Sequence, residues 1–143
     1  MREPSRAASR WVGALAAAGL ALLMAHGCDI ETLRIQVCSD GLGVLVSTEP
    51  GAEFDWSGGC GVGELEVREA GASGRVVWRI RDRAVMNRLV APIRYGSAPA
   101  EATVIVPPAS LEVGVGYLVE VRSLTALGGS STGIVVGQAA FVR

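Results

Sequence analysis

The part of the chain after residue 28 alternates apolar and polar residues in short runs that end at glycine, proline, serine or aspartate. A period of two is typical of half-buried β-strands, whereas an amphipathic helix needs a period of 3.6. No stretch of convincing length has the helical period, and 84–90 is expected to form one helical turn or an irregular crossing. The strand-like segments are 33–37, 44–46, 54–56, 65–67, 76–80, 93–95, 103–106, 119–121 and 134–142.

The spacing of these segments predicts an all-β fold. About seven short strands at intervals of about 8–12 residues are typical of a single antiparallel β-sandwich. Gly71 and Gly74 lie between two of the segments and predict a hairpin turn, because glycine adopts the positive φ that such turns need. The 116 residues from 28 to 143 suffice for one domain with one core. We therefore expect one β-sandwich over 33–143.

The first 27 residues have the pattern of a signal peptide. Arg2, Arg6 and Arg10 give a positive start, and 11–25 is an apolar run without charge. The 15 residues of that run would extend about 22 Å as a helix, which is short of the roughly 30 Å hydrocarbon core of a bilayer. This length suits the apolar region of a removable signal peptide better than a permanent membrane span.

Ala25, His26, Gly27 and Cys28 follow the apolar run, with small residues three and one positions before the cysteine. This segment resembles the lipobox of bacterial lipoprotein precursors. The resemblance implies that 1–27 is removed, that Cys28 receives diacylglycerol, and that 28–32 is a lipidated tether to a membrane of the cell envelope. Two alternatives stay open: an ordinary signal peptide cleaved after Gly27, which leaves a soluble exported protein, and an uncleaved anchor.

The remaining two cysteines form an even pair. If Cys28 carries lipid, Cys38 and Cys60 are free to form a disulfide in an oxidising compartment. Closing a loop of this length would contribute roughly 3 kcal/mol in the chain-entropy model. A metal site would need more ligands than one cysteine pair, and no histidine lies near it.

Composition excludes several classes of chemistry. The chain has 13 arginines and no lysine, and its one histidine, His26, is lost with the signal peptide. A Ser-His-Asp or Cys-His arrangement, a Schiff base and a Ser-Lys dyad therefore cannot be assembled. From Cys28 onward ten arginines face 13 acidic residues, a net charge of −3 without a basic block. We expect no catalytic residues, no cofactor, no metal and no nucleic-acid partner.

The segment 111–121 carries a second resemblance. Leu111 lies six residues before Tyr117, and Val119 and Val121 follow the tyrosine at alternate positions. This spacing resembles the corner before strand F of fibronectin type III domains, which are immunoglobulin-like β-sandwiches. The resemblance implies a tyrosine corner, in which the Tyr117 ring packs in the core above Leu111 and its hydroxyl bonds to upstream backbone.

Aromatic and charged side chains give one weaker candidate site. A ligand surface would use Trp78, Tyr95 and Arg79, which directly follows Trp78 in the sequence. Packing in the core is the simpler role for both rings. Glu64 and Glu66 lie opposite Leu65 in the alternation and are expected on a solvated face, not in an active site.

These observations predict a non-enzymatic, lipid-anchored cell-envelope protein that acts as an interaction or structural module. Its partners would be membrane lipid, through an acylated Cys28, and an envelope protein or glycan. The alternative is a carbohydrate-binding accessory β-sandwich, exported to the periplasm or cell surface, that uses Trp78, Tyr95 and Arg79.

Overall fold

A computed structural model describes the backbone of residues 36–127 and 130–143, and the side chains of the same residues except 126–132. The predicted signal peptide 1–27, the tether 28–32 with Cys28, and most of the predicted strand 33–37 lie outside the described residues. Every regular element in the described part is a strand: β1 (Leu42–Ser47), β2 (Glu53–Trp56), β3 (Gly61–Val62), β4 (Glu64–Glu69), β5 (Val76–Asp82), β6 (Leu89–Val90), β7 (Ile93–Arg94), β8 (Ala102–Val106), β9 (Gly116–Leu127) and β10 (Ser130–Val142). The all-β expectation is confirmed for this part of the chain.

Eight of the strands form one sheet in the order β7-β2-β1-β10-β9-β4-β5-β8, and β3 pairs with β6 in a small second sheet. All pairs of named strands are antiparallel except β1 with β10, which run parallel with Leu42 opposite Gly137 and Gly43 opposite Gln138. The β4–β5 pair closes through the predicted glycine turn, in which Gly71 has a φ of 127°.

The eight-stranded sheet curls over a single core. Five steps separate β2 from β5 in the strand order, which is about 24 Å in a flat sheet at about 4.8 Å per step. The rings of Phe54 in β2 and Trp78 in β5 are nevertheless only 6.5 Å apart, and Phe54 also lies 5.7 Å from the Phe141 ring in β10. The two ends of the sheet therefore face each other, and their inward side chains form one buried cluster.

The expectation of a seven-stranded sandwich is wrong in its finer detail, because the main sheet is one curled sheet of eight strands. The parallel β1–β10 pair joins the strands that a sandwich divides between two sheets. Glycine at position 137 permits this pairing: a Cβ there would lie 2.6 Å from the Leu42 carbonyl oxygen. Any larger residue would push β1 away from β10.

The predicted disulfide between Cys38 and Cys60 is confirmed. It joins the segment before β1 to the loop after β2, and both cysteines are buried. The indole N–H of Trp56 donates to the Cys60 carbonyl at 3.1 Å, so that this loop is also held from the core side. The cross-link and the core thus fix the point where the described chain begins.

The contact across the curl generates a stability prediction. We expect Phe54→Ala to lower the free energy of unfolding by about 3–5 kcal/mol, because it opens a cavity between the two ends of the sheet. Leu45→Ala, on the exposed side of the neighbouring strand β1, serves as the control and should change stability by at most about 0.5 kcal/mol. Urea unfolding followed by tryptophan fluorescence measures both. Equal losses for the two variants would contradict the closure of the sheet through Phe54.

Candidate functional site

The outward face of β5, β4 and β9 carries a cluster of charged side chains that we call the arginine–glutamate face. Its three carboxylates are almost fully buried, with exposed fractions of 2% for Glu64, 3% for Glu66 and 5% for Glu120. Four arginines cover them. The members of the face are Glu64, Glu66, Arg68, Arg79, Arg81, Glu120 and Arg122.

Strand register produces this cluster. Antiparallel pairing places Arg81 of β5 on one side of Glu64 and Arg122 of β9 on the other. The Arg81 Nε donates to the Glu64 carboxylate at 2.7 Å, and an Arg122 terminal nitrogen donates to its other oxygen at 3.1 Å. Glu64 is therefore held from both neighbouring strands, and these contacts compensate for the burial of its polar side chain.

One row of the face sets two like charges side by side. Glu66 of β4 lies directly opposite Glu120 of β9, an arrangement that is destabilising without compensation. Arg122 contacts both carboxylates, while Arg79 pairs with Glu66 and Arg68 with Glu120, the last at 2.7 Å. Four arginines against three glutamates leave this face with one excess positive charge.

Arg122 is the central residue of the face, because it contacts all three carboxylates. Burial alone would lower the pKa of its guanidinium group. The opposing attraction of Glu66 and Glu120, with the hydrogen bonds to Glu120 and Glu64, is stronger, so the net pKa of Arg122 is raised above its ordinary value. The charge that holds the three carboxylates together is therefore permanent.

The expectation that Glu64 and Glu66 lie on a solvated face is wrong. Both point outward, as the alternation predicts, but arginine side chains from adjacent strands lie over them and remove water. The sequence contains the three arginines that cover the glutamates, Arg79, Arg81 and Arg122. Their proximity to Glu64 and Glu66 follows only from the strand pairing. Each of the two glutamates contacts two arginines, the arrangement of a structural ion-pair network and not of an acid–base pair.

The structure brings two residues of the predicted ligand surface, Trp78 and Tyr95, into contact and separates the third, Arg79, from them. The Trp78 ring is fully buried and packs on Tyr95 at 5.1 Å. Arg79 points to the opposite face of β5, where it pairs with Glu66. The Tyr95 hydroxyl donates to the Ala109 carbonyl at 2.7 Å, and burial raises the pKa of Tyr95 to about 12. Tyr95 therefore serves as a link within the fold.

Tyr95 does border an open cleft of about 300 Å³, together with Arg94, Leu111 and Arg143. Trp78 does not line this cleft. A sugar stacking on a tryptophan face needs the exposed ring that Trp78 lacks. The cleft thus offers two arginines and one tyrosine, without Trp78.

Tyr117 is the second residue of β9. Its ring is buried and stacks on Phe141 at 5.5 Å. Its hydroxyl accepts a hydrogen bond of 2.8 Å from the backbone N–H of Glu112, five residues upstream. Leu111 is half-buried and packs against the core. Tyr117 therefore links the core to the chain just before β9.

The fourth buried carboxylate, Asp82, was not anticipated from the sequence. Asp82, at the end of β5, accepts hydrogen bonds from the backbone N–H groups of Ala84, Met86 and Arg88 at 2.9–3.0 Å. Burial alone would raise its pKa, but these bonds and the Arg88 side chain outweigh it, so the pKa of Asp82 lies below its ordinary value of 3.8. The segment 84–88 is therefore an irregular loop around one carboxylate.

The backbone of this loop is strained. Val85 and Asn87 both have a φ of 56°, which is rare for any residue except glycine and a clear outlier for a β-branched side chain. The Asn87 side chain compensates by donating to the Leu124 carbonyl at 2.9 Å and accepting from the Leu124 N–H at 2.7 Å. As a result the loop holds Met86 out of the core, with 64% of it exposed.

The chain matches no family model, no curated protein and no solved structure. No group of three or more histidine, cysteine or acidic side chains in the described residues has the arrangement of a metal site. Over the same ranges, no helix is long and apolar enough to span a membrane.

The arginine–glutamate face generates the second prediction. We expect Arg122→Met to lower the free energy of unfolding by about 3 kcal/mol, since it leaves the buried pair Glu66 and Glu120 opposed without their shared cation. Arg75→Met is the matched control, because Arg75 forms a solvent-exposed pair with Glu69, and exposed pairs contribute little to stability. Chemical unfolding at pH 7 compares the two. A loss no larger for Arg122 than for Arg75 would show that the face is not a coupled network.

The lowered pKa of Asp82 generates the third prediction, on the pH dependence of stability. A carboxyl with a pKa lowered in the folded state stabilises the fold above its unfolded pKa, and this contribution disappears as the pH falls through the folded value. We expect wild type to lose stability steeply from about pH 4 downward. Asp82→Asn should be less stable at pH 7 and should show a shallower decline, measured as the urea midpoint at successive pH values. Parallel curves for the two proteins would contradict this role.

Proposed function

We propose that this chain is a non-enzymatic lipid-anchored protein of the bacterial cell envelope, held at a membrane through Cys28, with its β-domain acting as an interaction or structural module. The observation that carries the proposal is the disulfide. It uses Cys38 and Cys60, so Cys28, at the end of the apolar run, is the one cysteine of the three that remains for another modification.

The disulfide and the lipid call for the same compartment. Disulfides persist where the environment is oxidising, which for a bacterium means outside the cytosol. A diacylglycerol thioether with a further acyl chain would bury many CH₂ groups at about 0.8 kcal/mol each, so the anchor would be effectively permanent. The proposal therefore accounts for all three cysteines with one route of export.

Two surfaces of the domain suit an interaction role. The arginine–glutamate face presents guanidinium groups that are about one third exposed at Arg68 and Arg81, and a guanidinium fork can bind a further carboxylate or phosphate. Strand β8 lies at the edge of the sheet, carries no charge, and exposes Val104 and Ile105. Such an edge has free backbone groups for the addition of a strand from a partner.

The non-enzymatic part of the proposal rests on side-chain chemistry. The chain after Cys28 contains neither histidine nor lysine, and four of its buried carboxylates are held by arginines or by backbone N–H groups. The carbohydrate-binding alternative has weaker support, because Trp78 is buried and Arg79 lies on the opposite face from it.

The anchor is tested with a fourth prediction. Cells that express the full chain are labelled with a radioactive fatty acid and fractionated. We expect label on the wild-type protein and its recovery in membranes, and no label on Cys28→Ser. Globomycin should cause an unprocessed, diacylated precursor to accumulate.

The double variant Cys38→Ser with Cys60→Ser is the matched control. It should be less stable, because the cross-link is gone, but it should still carry the label. If the Cys28→Ser protein is labelled, or if wild type is unlabelled or found only in the soluble fraction, the lipid anchor is refuted.

A further inference from the structure

One end of the domain gathers the beginning of the described chain and several exposed apolar side chains. Val37, next to the first described residue, forms a parallel bridge with Gly61, and Gly61 pairs on its other side with Val90 of β6. Partners in such pairs point to the same face of a sheet. Val37 and Val90 therefore flank Gly61 on one face, 46% and 41% exposed, while Val62 and Leu89 on the other face are buried in the core.

The strained loop lies at the same end. A Cβ added to Gly63, two residues beyond Gly61, would lie 2.5 Å from the Asn87 side-chain oxygen, so the loop rests directly against this strand. The Asp82 carboxylate fixes the backbone N–H of Met86 at 3.0 Å and the loop turns its thioether side chain outward. We call Val37, Met86 and Val90 the anchor-side surface.

Two arginines, Arg83 and Arg88, flank the apolar pair Val85 and Met86 in the sequence. Arg88 contacts the Asp82 carboxylate at 3.3 Å and Arg83 donates to the Ala102 carbonyl at 3.4 Å. A guanidinium group has five N–H donors, so each can still contact a phosphate. Arginine beside exposed apolar residues is the composition of protein segments that lie in the headgroup region of a membrane, where the apolar side chain enters the acyl boundary and the guanidinium group meets phosphate. The loop presents this composition on a backbone that Asp82 and Asn87 hold fixed.

The proposed anchor places a membrane within reach of this end. Gln36, the first described residue, is eight positions after Cys28, and eight residues span at most about 28 Å when fully extended. The tether is attached next to Val37, so it keeps this end of the domain within reach of the lipid. Ile134 of β10 lies at this end, because it pairs with Ser123, the neighbour of the Leu124 that Asn87 contacts. The opposite end, where Gly114 donates to the Arg143 carbonyl beyond β10, lies eight strand positions, or about 26 Å, from Ile134.

We propose that the anchor-side surface docks on the surface of the bilayer that holds the lipid of Cys28. This inference rests on the proposed anchoring and adds to it an orientation: the Met86 loop faces the lipid, and the opposite end, with Val113, faces away from it. The tether raises the effective concentration of lipid at the surface, so a few half-exposed apolar side chains suffice for contact. The strained backbone at Val85 holds Met86 in the docking position, and strained residues are common at binding sites.

The test uses the mature lipidated protein, reconstituted in vesicles of phosphatidylethanolamine and phosphatidylglycerol without other proteins. Two variants, Met86→Cys and Val113→Cys, are labelled with an environment-sensitive fluorophore at the new thiol. Val113 is the matched control because it is apolar, 89% exposed and at the far end. A lipid that carries a quencher near its headgroup reports contact. Both labelled proteins must retain the Cys38–Cys60 disulfide, which mass analysis verifies.

We expect the label at 86 to be quenched several-fold more than the label at 113, with a blue-shifted emission. Equal quenching at the two positions, whether high or absent, in protein that floats with the vesicles would overturn the docking and leave the anchor intact. If the unlabelled wild-type protein does not float with the vesicles, both the anchor and the docking are refuted.

Discussion

The contact of Phe54 with Trp78 and Phe141 is the interaction on which the fold depends. The Phe54–Trp78 contact joins β2 and β5, which are five places apart in one sheet, so it can form only when the sheet curls. The parallel pairing of β1 with β10, which the absence of a side chain at Gly137 allows, makes the sheet continuous between these strands. The curl gives the central strands β4, β5 and β9 an inner side in the core and an outer side that carries the arginine–glutamate face.

The charge pairing on the outer side depends on arginine, which the chain uses to the exclusion of lysine. Three carboxylates lie within the reach of one side chain, Arg122, which meets all of them. A planar guanidinium group can direct separate N–H donors at several carboxylates, whereas an ammonium group acts as a compact point charge with strong hydration. Lysine at position 122 would leave the opposed pair Glu66 and Glu120 less completely neutralised. The same chemistry leaves guanidinium edges exposed, where a partner can contact them.

The sequence was informative wherever the signal is local. Alternation placed strands that the described structure contains, the turn at Gly71 was recognised from glycine, and the Cys38–Cys60 bridge followed from cysteine parity. It failed where the outcome depends on strand pairing. A two-sheet sandwich and one curled sheet share the same local pattern of alternation. Alternation alone predicts that Glu64 is solvated, because only the strand pairing places Arg81 and Arg122 beside it.

The loop 84–88, which Asp82 holds, and the Cys38–Cys60 disulfide lie at the same end of the domain. In a protein anchored at Cys28, tension on the tether reaches Cys38 before it reaches β1, and the disulfide transfers it to Cys60 and to the strand beside Val90. This path matters because β1 pairs with β10 at only two positions. Asp82 and Asn87 stiffen the neighbouring loop. The end of the domain nearest the proposed membrane is thus also the end in which covalent and charge-assisted links are concentrated.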